Sequence, residues 1–139
     1  MKREISLSEW QVMRVLWAEN QLISRQIVER LIDDMDWNDK TIKTLLNRLV
    51  KKGYVTVIVE GRYYTYSPAI PEIDHVQTEI KLIIENICQT KHYEHLKEWL
   101  DYLVLSQNDI DHLISILEEK RVVAPEKVTC HCQAGQCNY

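Results

Sequence analysis

Residues 38–53 of the chain read NDKTIKTLLNRLVKKG and have a regular apolar pattern. The apolar side chains recur at spacings of three and four, which places them on one face of an α-helix. They are Ile42, Leu45, Leu46, Leu49 and Val50. Asn38 is suited to cap the first turn, and Gly53 follows two lysines as a helix stop. The sequence therefore predicts a helix between these two residues, with one buried and one polar face.

Two helices are predicted before this stretch. Ser6 and Glu9 have the spacing of a capping box, and apolar residues follow at helical spacing as far as about Asn20. Ser24 is expected to cap a second helix. Its apolar stripe consists of Ile27, Val28, Leu31, Ile32 and Met35.

Two strand-like runs follow, at 55–60 and 63–67, and they flank the pair Gly61-Arg62. Such a pattern predicts a β-hairpin with a tight turn. Three helices followed by a hairpin are typical of a winged helix-turn-helix. We therefore expect a mainly α fold with a small β-hairpin.

The apolar pattern of the second half predicts three more helices. The first of them has isoleucine-rich apolar residues at near-heptad spacing between Ile73 and Ile87. Each helix has only one apolar stripe, and a twofold partner would cover these stripes. We expect three parts: a winged-helix DNA-binding domain at 1–70, a helical dimerisation domain at 71–121, and a flexible cysteine-containing tail at 122–139. The expected partner of the second part is therefore a second copy, as a homodimer.

The charge is unevenly distributed along the 139 residues. The whole chain carries a net charge of −4, but residues 1–70 carry +2 and residues 37–62 carry +4. A basic stretch in an otherwise acidic chain indicates a surface that binds a polyanion.

The polar face of the third helix fits the major groove of double-stranded DNA. Its line of side chains is Lys40, Lys43, Thr44, Asn47 and Lys51. Lys43, Thr44 and Asn47 have the reach and the donor and acceptor groups to contact base edges. Arg48, Lys51 and Lys52 are better placed for phosphates, and Arg62 at the hairpin tip could contact backbone or minor groove.

Several function classes are disfavoured. There is no apolar run of membrane-spanning length and no apolar segment after the N-terminus, so we expect a cytoplasmic protein without membrane association. We find no catalytic triad pattern, phosphate-cradling glycine loop or paired-carboxylate signature, and therefore expect no enzyme activity.

The cysteines are concentrated at the end of the chain. Cys130, Cys132 and Cys137 lie within eight residues, whereas Cys88 stands apart and is expected to be a small buried residue. Soft thiolates select Cu(I) and Zn(II) over hard cations. Three of them suit Cu(I) directly, while Zn(II) needs a fourth ligand. Candidates are His131, a group of the partner chain, water or the carboxylate of Tyr139.

The segment from Ile5 to Met13, together with KTIKTLLNRLVKKG at 40–53, resembles the penicillinase-repressor family of the BlaI, MecI and CopY type. The similarity covers residues 5–120. It implies a homodimeric winged-helix repressor whose third helix binds an inverted-repeat operator with a TACA…TGTA core. The resemblance adds Thr41 to the DNA-binding residues, beside Lys43, Thr44 and Arg48.

The tail resembles that of the copper-responsive members, which end in Cys-x-Cys-x4-Cys-x-Cys. Three of the four positions match, and Tyr139 stands at the fourth. The resemblance implies a Zn(II)-loaded form on DNA and release by Cu(I). The β-lactam-responsive branch is disfavoured, because it lacks the cysteine tail and is cleaved at an Asn-Phe bond where this chain has Glu98-Trp99.

The leading hypothesis is thus a copper-responsive transcriptional repressor. Two alternatives remain at this point. One is a thiol-redox-sensing repressor in which the tail cysteines form disulfides. The other is a cytosolic copper buffer or chaperone, which would leave the polar face of the third helix without a purpose.

Overall fold

The computed structural model describes residues 4–130 and 132–137. Within them the chain forms two compact units, divided between Gln77 and Thr78. The elements are α1 (Leu7–Ala18), β1 (Leu22–Ile23), α2 (Ser24–Met35), α3 (Asp39–Lys52), β2 (Val55–Glu60), β3 (Tyr63–Pro68), α4 (Glu72–Glu85), α5 (His92–Tyr102) and α6 (Gln107–Val123). A 3₁₀ turn at Gln89–Lys91 precedes α5.

The three strands form one antiparallel sheet in the order β1-β3-β2. The hairpin register runs from Val55 opposite Pro68 to Glu60 opposite Tyr63. Gly61 in the turn has a φ of +61°, a conformation that costs glycine little. The predicted winged helix-turn-helix is confirmed. Strand β1 was not predicted, because two residues carry no alternating pattern.

Helix α3 begins and ends where the sequence predicts. The side-chain oxygen of Asn38 accepts a hydrogen bond from the Thr41 amide at 2.8 Å. Gly53 adopts a φ of +82°, and its N–H donates to the Val50 carbonyl oxygen at 3.1 Å. The helix therefore has a defined cap at each end.

The predicted cap of α2 is wrong by one residue. Ser24 is the first residue of the helix, and the preceding Ile23 occupies the cap position in an extended conformation. Ile23 is held there because β1 pairs with β3. The side chain of Gln26 accepts a hydrogen bond from the Ile23 amide at 3.0 Å, while the Ile23 side chain itself makes no capping hydrogen bond.

The core of the first unit lies between α1, α2, α3 and the sheet. Its buried side chains come from the apolar stripes of the three helices, from β1, and from the first residue of β2 and the residue before it. They are Val12, Met13, Leu16, Leu22, Ile27, Val28, Leu31, Ile42, Leu45, Leu46, Leu49, Tyr54 and Val55. Burial of each large aliphatic side chain contributes roughly 1.5–3 kcal/mol relative to exposure. This core fixes the orientation of α3.

A buried ion pair joins the start of α1 to the end of α3. Glu9 is only 2% exposed, and its carboxylate oxygens lie 2.8 and 2.9 Å from the Lys52 ammonium. Glu9 also accepts the Ser6 amide, while the Ser6 hydroxyl accepts the Glu9 amide, so the capping box forms as predicted. Burial raises the pKa of Glu9, but the bonds from Lys52 and Ser6 outweigh burial and leave this pKa below its usual value.

An aromatic cluster holds the first turn of α4 within the same unit. His75 is 2% exposed, and its ring meets Trp10 and Tyr54 edge-on at centroid distances of 4.5 and 5.5 Å. The Trp17 ring lies 5.7 Å away, and its N–H donates to the Ile70 carbonyl. Within the described residues neither ring nitrogen of His75 has a hydrogen-bond partner. Ring packing is therefore what retains this side chain.

The second unit is built differently. Among its described residues, Cys88 is the one side chain that is buried. The apolar stripes of its helices are largely exposed. Half or more of the surface of Ile83, Leu103 and Leu117 is open to solvent. Such helices lack the apolar contacts that normally stabilise a helix packed in a protein.

We predict that Glu9→Gln lowers the free energy of unfolding by about 3 kcal/mol at pH 7, because it leaves the Lys52 ammonium partly buried without a charged partner. The carboxylate stabilises the fold above the unfolded pKa of Glu9, and this contribution is lost as pH falls through the lowered folded pKa. The difference from wild type should therefore shrink below about pH 4. Urea titrations at several pH values measure it.

The matched control is Glu29→Gln in α2. Glu29 makes an exposed ion pair with Arg25 at 3.1 Å, so its loss should cost about 0.5 kcal/mol or less. Equal effects of the two substitutions would contradict a structural role for the buried pair.

His75→Phe is predicted to preserve or raise the melting temperature. Phenylalanine keeps the aromatic contacts and removes two buried nitrogens, each of which costs roughly 1–3 kcal/mol when unpaired. His75→Ala should instead destabilise the fold by about 3 kcal/mol through a cavity. Calorimetry distinguishes the two. Destabilisation by phenylalanine that equals the effect of alanine would show that the nitrogens have partners in solution.

Candidate functional site

Eight of the nine residues that the sequence assigned to DNA binding are exposed, and the ninth, Lys52, is partly buried. Seven lie on α3, and the eighth, Arg62, lies in the turn between β2 and β3. The seven are Lys40, Thr41, Lys43, Thr44, Asn47, Arg48 and Lys51. Their face is opposite the buried residues of α3, so the helix presents a continuous polar surface.

The threonine hydroxyls of this face already donate hydrogen bonds within the helix. Thr41 donates to the side-chain oxygen of Asn38 at 3.0 Å, and Thr44 donates to the Lys40 carbonyl at 2.9 Å. Each hydroxyl proton is therefore already used in a hydrogen bond within the protein. Thr44 retains its methyl group, which suits a thymine methyl, and an oxygen lone pair, which suits a hydrogen-bond donor on a base.

Lys43 lies near the junction of α3 and the sheet. Its ammonium is 3.1 Å from the Asp39 carboxylate, in an exposed pair of the kind that contributes little to stability. Burial raises the pKa of Tyr66 in β3, Tyr64 adds to this rise, and the charge of Lys43 partly offsets it. Lys43 is thus close enough to β3 for its charge to affect the pKa of Tyr66.

Lys52 has a structural role rather than the predicted phosphate contact. Its ammonium is bound to the buried Glu9 carboxylate and to the Glu4 carbonyl at 3.0 Å. The charge pattern of the sequence could not separate it from Lys51, because its partner is 43 positions away in the chain. The positive charge available to DNA is correspondingly smaller.

A cluster of four thiols lies in the second unit. The sulfurs of Cys88, Cys130, Cys132 and Cys137 all lie within 4.8 Å of one another. The Cys132 sulfur is 2.9 Å from that of Cys137 and 3.2 Å from that of Cys130. The Cys88 sulfur is 3.0 Å from that of Cys137 and 3.8 Å from that of Cys130.

This cluster fits a thiophilic metal ion. Four sulfurs bound to one Zn(II) at about 2.3 Å are about 3.8 Å apart, and the sulfur pairs described here, at 2.9 to 3.8 Å, lie within that distance. The separations are much longer than the roughly 2.05 Å of a disulfide bond. The cysteines are free, and the donor set is one that soft metals prefer.

A turn brings the three tail cysteines together. The Gln136 amide donates to the Gln133 carbonyl at 3.1 Å, and the Gln136 side chain accepts from the Gln133 amide at 3.2 Å. Gly135 within this turn has a φ of +85°, which favours glycine. Cys132 and Cys137 lie at either end of the turn and therefore face each other.

The thiols of the cluster differ in pKa. Hydrogen bonds from Cys132, Thr90 and Cys137 lower the pKa of the Cys88 thiol to about 5. The pKa of Cys132 is raised, because its hydrogen bonds with Cys137 and Cys88 favour the protonated form. Thiolates are the form in which cysteine binds metals, and the lowered pKa of Cys88 favours that form.

Sequence reasoning placed Cys88 correctly as a buried residue but missed its position beside the tail. Only the spacing within the tail was visible in the sequence, and Cys88 is 42 residues before Cys130. Two of the other candidate ligands, His131 and Tyr139, lie outside the described residues.

Comparison with known proteins identifies the family. Residues 5–119 match the family model of the penicillinase repressor. The chain belongs to the penicillinase repressor family. Its relatives include the penicillinase repressor of Bacillus licheniformis, which is 30% identical over 118 residues, covering 85% of this chain and 92% of that protein. As a family member it is a DNA-binding transcriptional repressor, and this family acts as dimers.

Two further similarities concern the whole chain and the first unit. An uncharacterized 16.5 kDa protein from the ptsI 3' region of Latilactobacillus sakei is 41% identical over 135 residues, which is 97% of this repressor and 92% of that protein. The solution structure of the DNA-binding domain of the repressor BlaI is 38% identical. The matched region covers 53% of this chain and 93% of the BlaI domain, with a TM-score of 0.49.

No helix within residues 4–130 and 132–137 of this repressor combines the length and apolar character needed to cross a bilayer.

Proposed function

We propose that this repressor binds inverted-repeat operator DNA as a homodimer and is released when Cu(I) binds its C-terminal thiols, with Zn(II) as the alternative metal. The observation that carries the metal response is the four-thiol cluster. Its residues 1–70 bind DNA, 71–121 form the dimer, and 122–139 carry metal ligands. We place it in the cytoplasm, where thiols stay reduced.

Helix α3 reads the operator in this proposal. Lys43, Thr44 and Asn47 contact base edges, because their side chains are exposed on the face opposite the core. The exposed Lys40, Arg48, Lys51 and Arg62 contact phosphates, which orient the protein without specifying sequence. Thr41 lies in the first turn, where the helix dipole favours a phosphate.

Dimer formation is supported by the apolar surface of the second unit. Its helices α5 and α6 expose one apolar stripe each, and the described part of the unit has a single buried side chain. A second copy supplies the missing apolar contacts, and twofold symmetry matches the two halves of an inverted repeat.

Cys130, Cys132 and Cys137 hold the metal ion in this proposal. Thiolates bind Cu(I) and Zn(II) strongly, and a bound ion joins chain segments that are otherwise connected only by weak contacts. The protein must supply the coupling. A metal changes operator affinity only through its different affinity for the DNA-bound and free forms, and a 100-fold change needs about 2.7 kcal/mol.

Redox control is the second candidate, and the separation of 2.9 Å between the Cys132 and Cys137 sulfurs favours it. An oxidant such as peroxide could join these two thiols in a disulfide, with the two protons and two electrons passing to the peroxide to give water. The same operator assay separates this outcome from a metal response.

Asn47→Ala is predicted to weaken specific operator binding by about 1–3 kcal/mol and to relax the preference at one base pair.

Lys51→Ala should weaken binding to all sequences and reduce the salt dependence by about one counterion. Fluorescence anisotropy of a labelled duplex with a TACA…TGTA core measures both.

The matched controls are Asn108→Ala in α6 and Lys97→Ala in α5, both exposed and in the second unit. Neither should change the dependence of affinity on DNA sequence. If Asn47→Ala and Asn108→Ala gave the same specificity profile, α3 would not be the reading helix.

Cu(I) is predicted to lower the operator affinity of the wild-type dimer by about 100-fold under anaerobic, reducing conditions, a coupling within the usual allosteric range. The double variant Cys130→Ser, Cys132→Ser should bind the operator but not respond. Anisotropy at fixed salt, with protein first loaded with Zn(II), measures the change.

Gln133→Ala is the control, since it alters the tail but no thiol. Release by peroxide and not by Cu(I) would replace copper control with redox control. Operator binding that is indifferent to both would remove the thiol cluster from the function.

A further inference from the structure

The four thiols come from two separate places in the second unit. Three lie in the tail, and the fourth, Cys88, lies in the connection between α4 and α5. Its sulfur is as near to Cys137, at 3.0 Å, as the tail sulfurs are to one another. Among the described residues the cluster is thus a contact between the tail and a helical connection.

The backbone around Cys88 is held by local hydrogen bonds. The Lys91 amide donates to the Cys88 carbonyl at 2.9 Å and closes the 3₁₀ turn. The Nε2 atom of His92 lies 3.1 and 3.0 Å from the carbonyl oxygens of Ile84 and Ile87, at the end of α4. With Nε2 protonated, His92 donates to both carbonyls and fixes the residue immediately before Cys88.

Side chains of the same turn reach the tail and the sulfur. The Gln89 amide nitrogen donates to the Thr129 carbonyl at 2.6 Å, next to the first tail cysteine. The Thr90 hydroxyl lies 3.0 Å from the Cys88 sulfur, and as donor it supports the thiolate form. Hydrogen bonds of this kind orient ligands in metal sites.

We propose that Cys88 is the fourth thiolate of a single Zn(II) site, and that occupancy of this site fastens the tail to the connection between α4 and α5. The four thiols release their protons as the ion binds, and no electron is transferred. A closed four-thiolate site is the arrangement that Zn(II) takes in structural sites. The inference rests on the proposed metal control and assigns Zn(II) a ligand that replaces the cysteine missing at position 139.

The assignment has a consequence for regulation. Cys88 belongs to the helical part of the second unit, which forms the dimer in the proposed function, whereas the other three thiols belong to the tail. A metal ion bound only by tail thiols would have no ligand in that helical part. An ion that also binds Cys88 makes the position of the tail depend on the metal, which gives the coupling a physical route.

The test uses the full-length protein loaded with Co(II), a spectroscopic substitute for Zn(II), and compares wild type with Cys88→Ser. Sulfur-to-cobalt charge-transfer absorption scales with the number of thiolates. We expect a loss of about one quarter in the variant. Zn(II) affinity, measured by chelator competition, should fall by about 100-fold or more, since even the loss of outer-sphere partners costs 10- to 100-fold. Equal spectra and affinities would overturn the inference.

A second measurement needs no variant and remains valid if Cys88→Ser fails to fold. X-ray absorption on Zn(II)-loaded wild type counts the sulfur neighbours directly. Four sulfurs per ion, with one ion per chain, support the site. Three sulfurs and one lighter atom contradict it.

Hydrogen exchange adds a readout of the fastening itself. Zn(II) should slow exchange at residues 129–137 and 86–92 together in wild type, whereas Cys88→Ser should lose the protection of the tail. Thr129→Ala is the matched control, because it changes the same segment but retains all four thiols and the carbonyl bound by Gln89. Protection of the tail that persists in Cys88→Ser would contradict the fastening.

The two proposals fail differently. If wild type binds Zn(II) through four sulfurs but its operator affinity ignores metals, the proposed copper control is wrong and the Cys88 site stands. If operator affinity responds to Cu(I) while Cys88→Ser retains wild-type spectra and Zn(II) affinity, only the Cys88 site is wrong.

Discussion

Burial of one face of α3 determines the direction of the polar face that we propose binds DNA. Ile42, Leu46 and Leu49 are fully enclosed between the other two helices and the sheet. Since the helix has 3.6 residues per turn, their burial fixes the direction of the opposite face, where Lys43 and Asn47 are exposed. The helix cannot rotate without bringing lysines into the core, which would cost several kcal/mol. In the proposed function, the direction of the DNA-reading face is therefore set by apolar packing on the other side of the same helix.

The sequence was sufficient for most of the first unit because its signals are local. Periodicity within α3, the capping box at Ser6 and the glycine in the hairpin turn each act over a few residues. What it could not reveal depends on distant partners. Strand β1 forms by pairing with β3, and this pairing explains why Ile23 and not Ser24 is the cap residue of α2. Lys52 is set apart by its ion pair with Glu9, which lies 43 positions earlier in the chain.

The thiol cluster shows the same division. The spacing of the tail cysteines was sufficient to predict that they meet, because a short turn with Gly135 can close on itself. Cys88 carried no such signal, since a lone cysteine in a helical region is usually a small buried residue. Its burial was predicted and its partners were not. The second unit has no other buried side chain among its described residues, so its tertiary contacts could not be inferred from an apolar pattern.

The proximity of Cys88 to Cys130 also concerns the denatured chain. These residues are 42 positions apart, and the intervening segment contains α5 and α6. Any link between them, through an ion or a disulfide, closes a loop and removes conformational entropy from the unfolded ensemble, by about 4 kcal/mol for a loop of this size. Such a link stabilises helices that bury little apolar surface. The survival of the repressor against cellular proteases would then vary with the supply of metal, so its abundance, as well as its affinity for DNA, would report metal status.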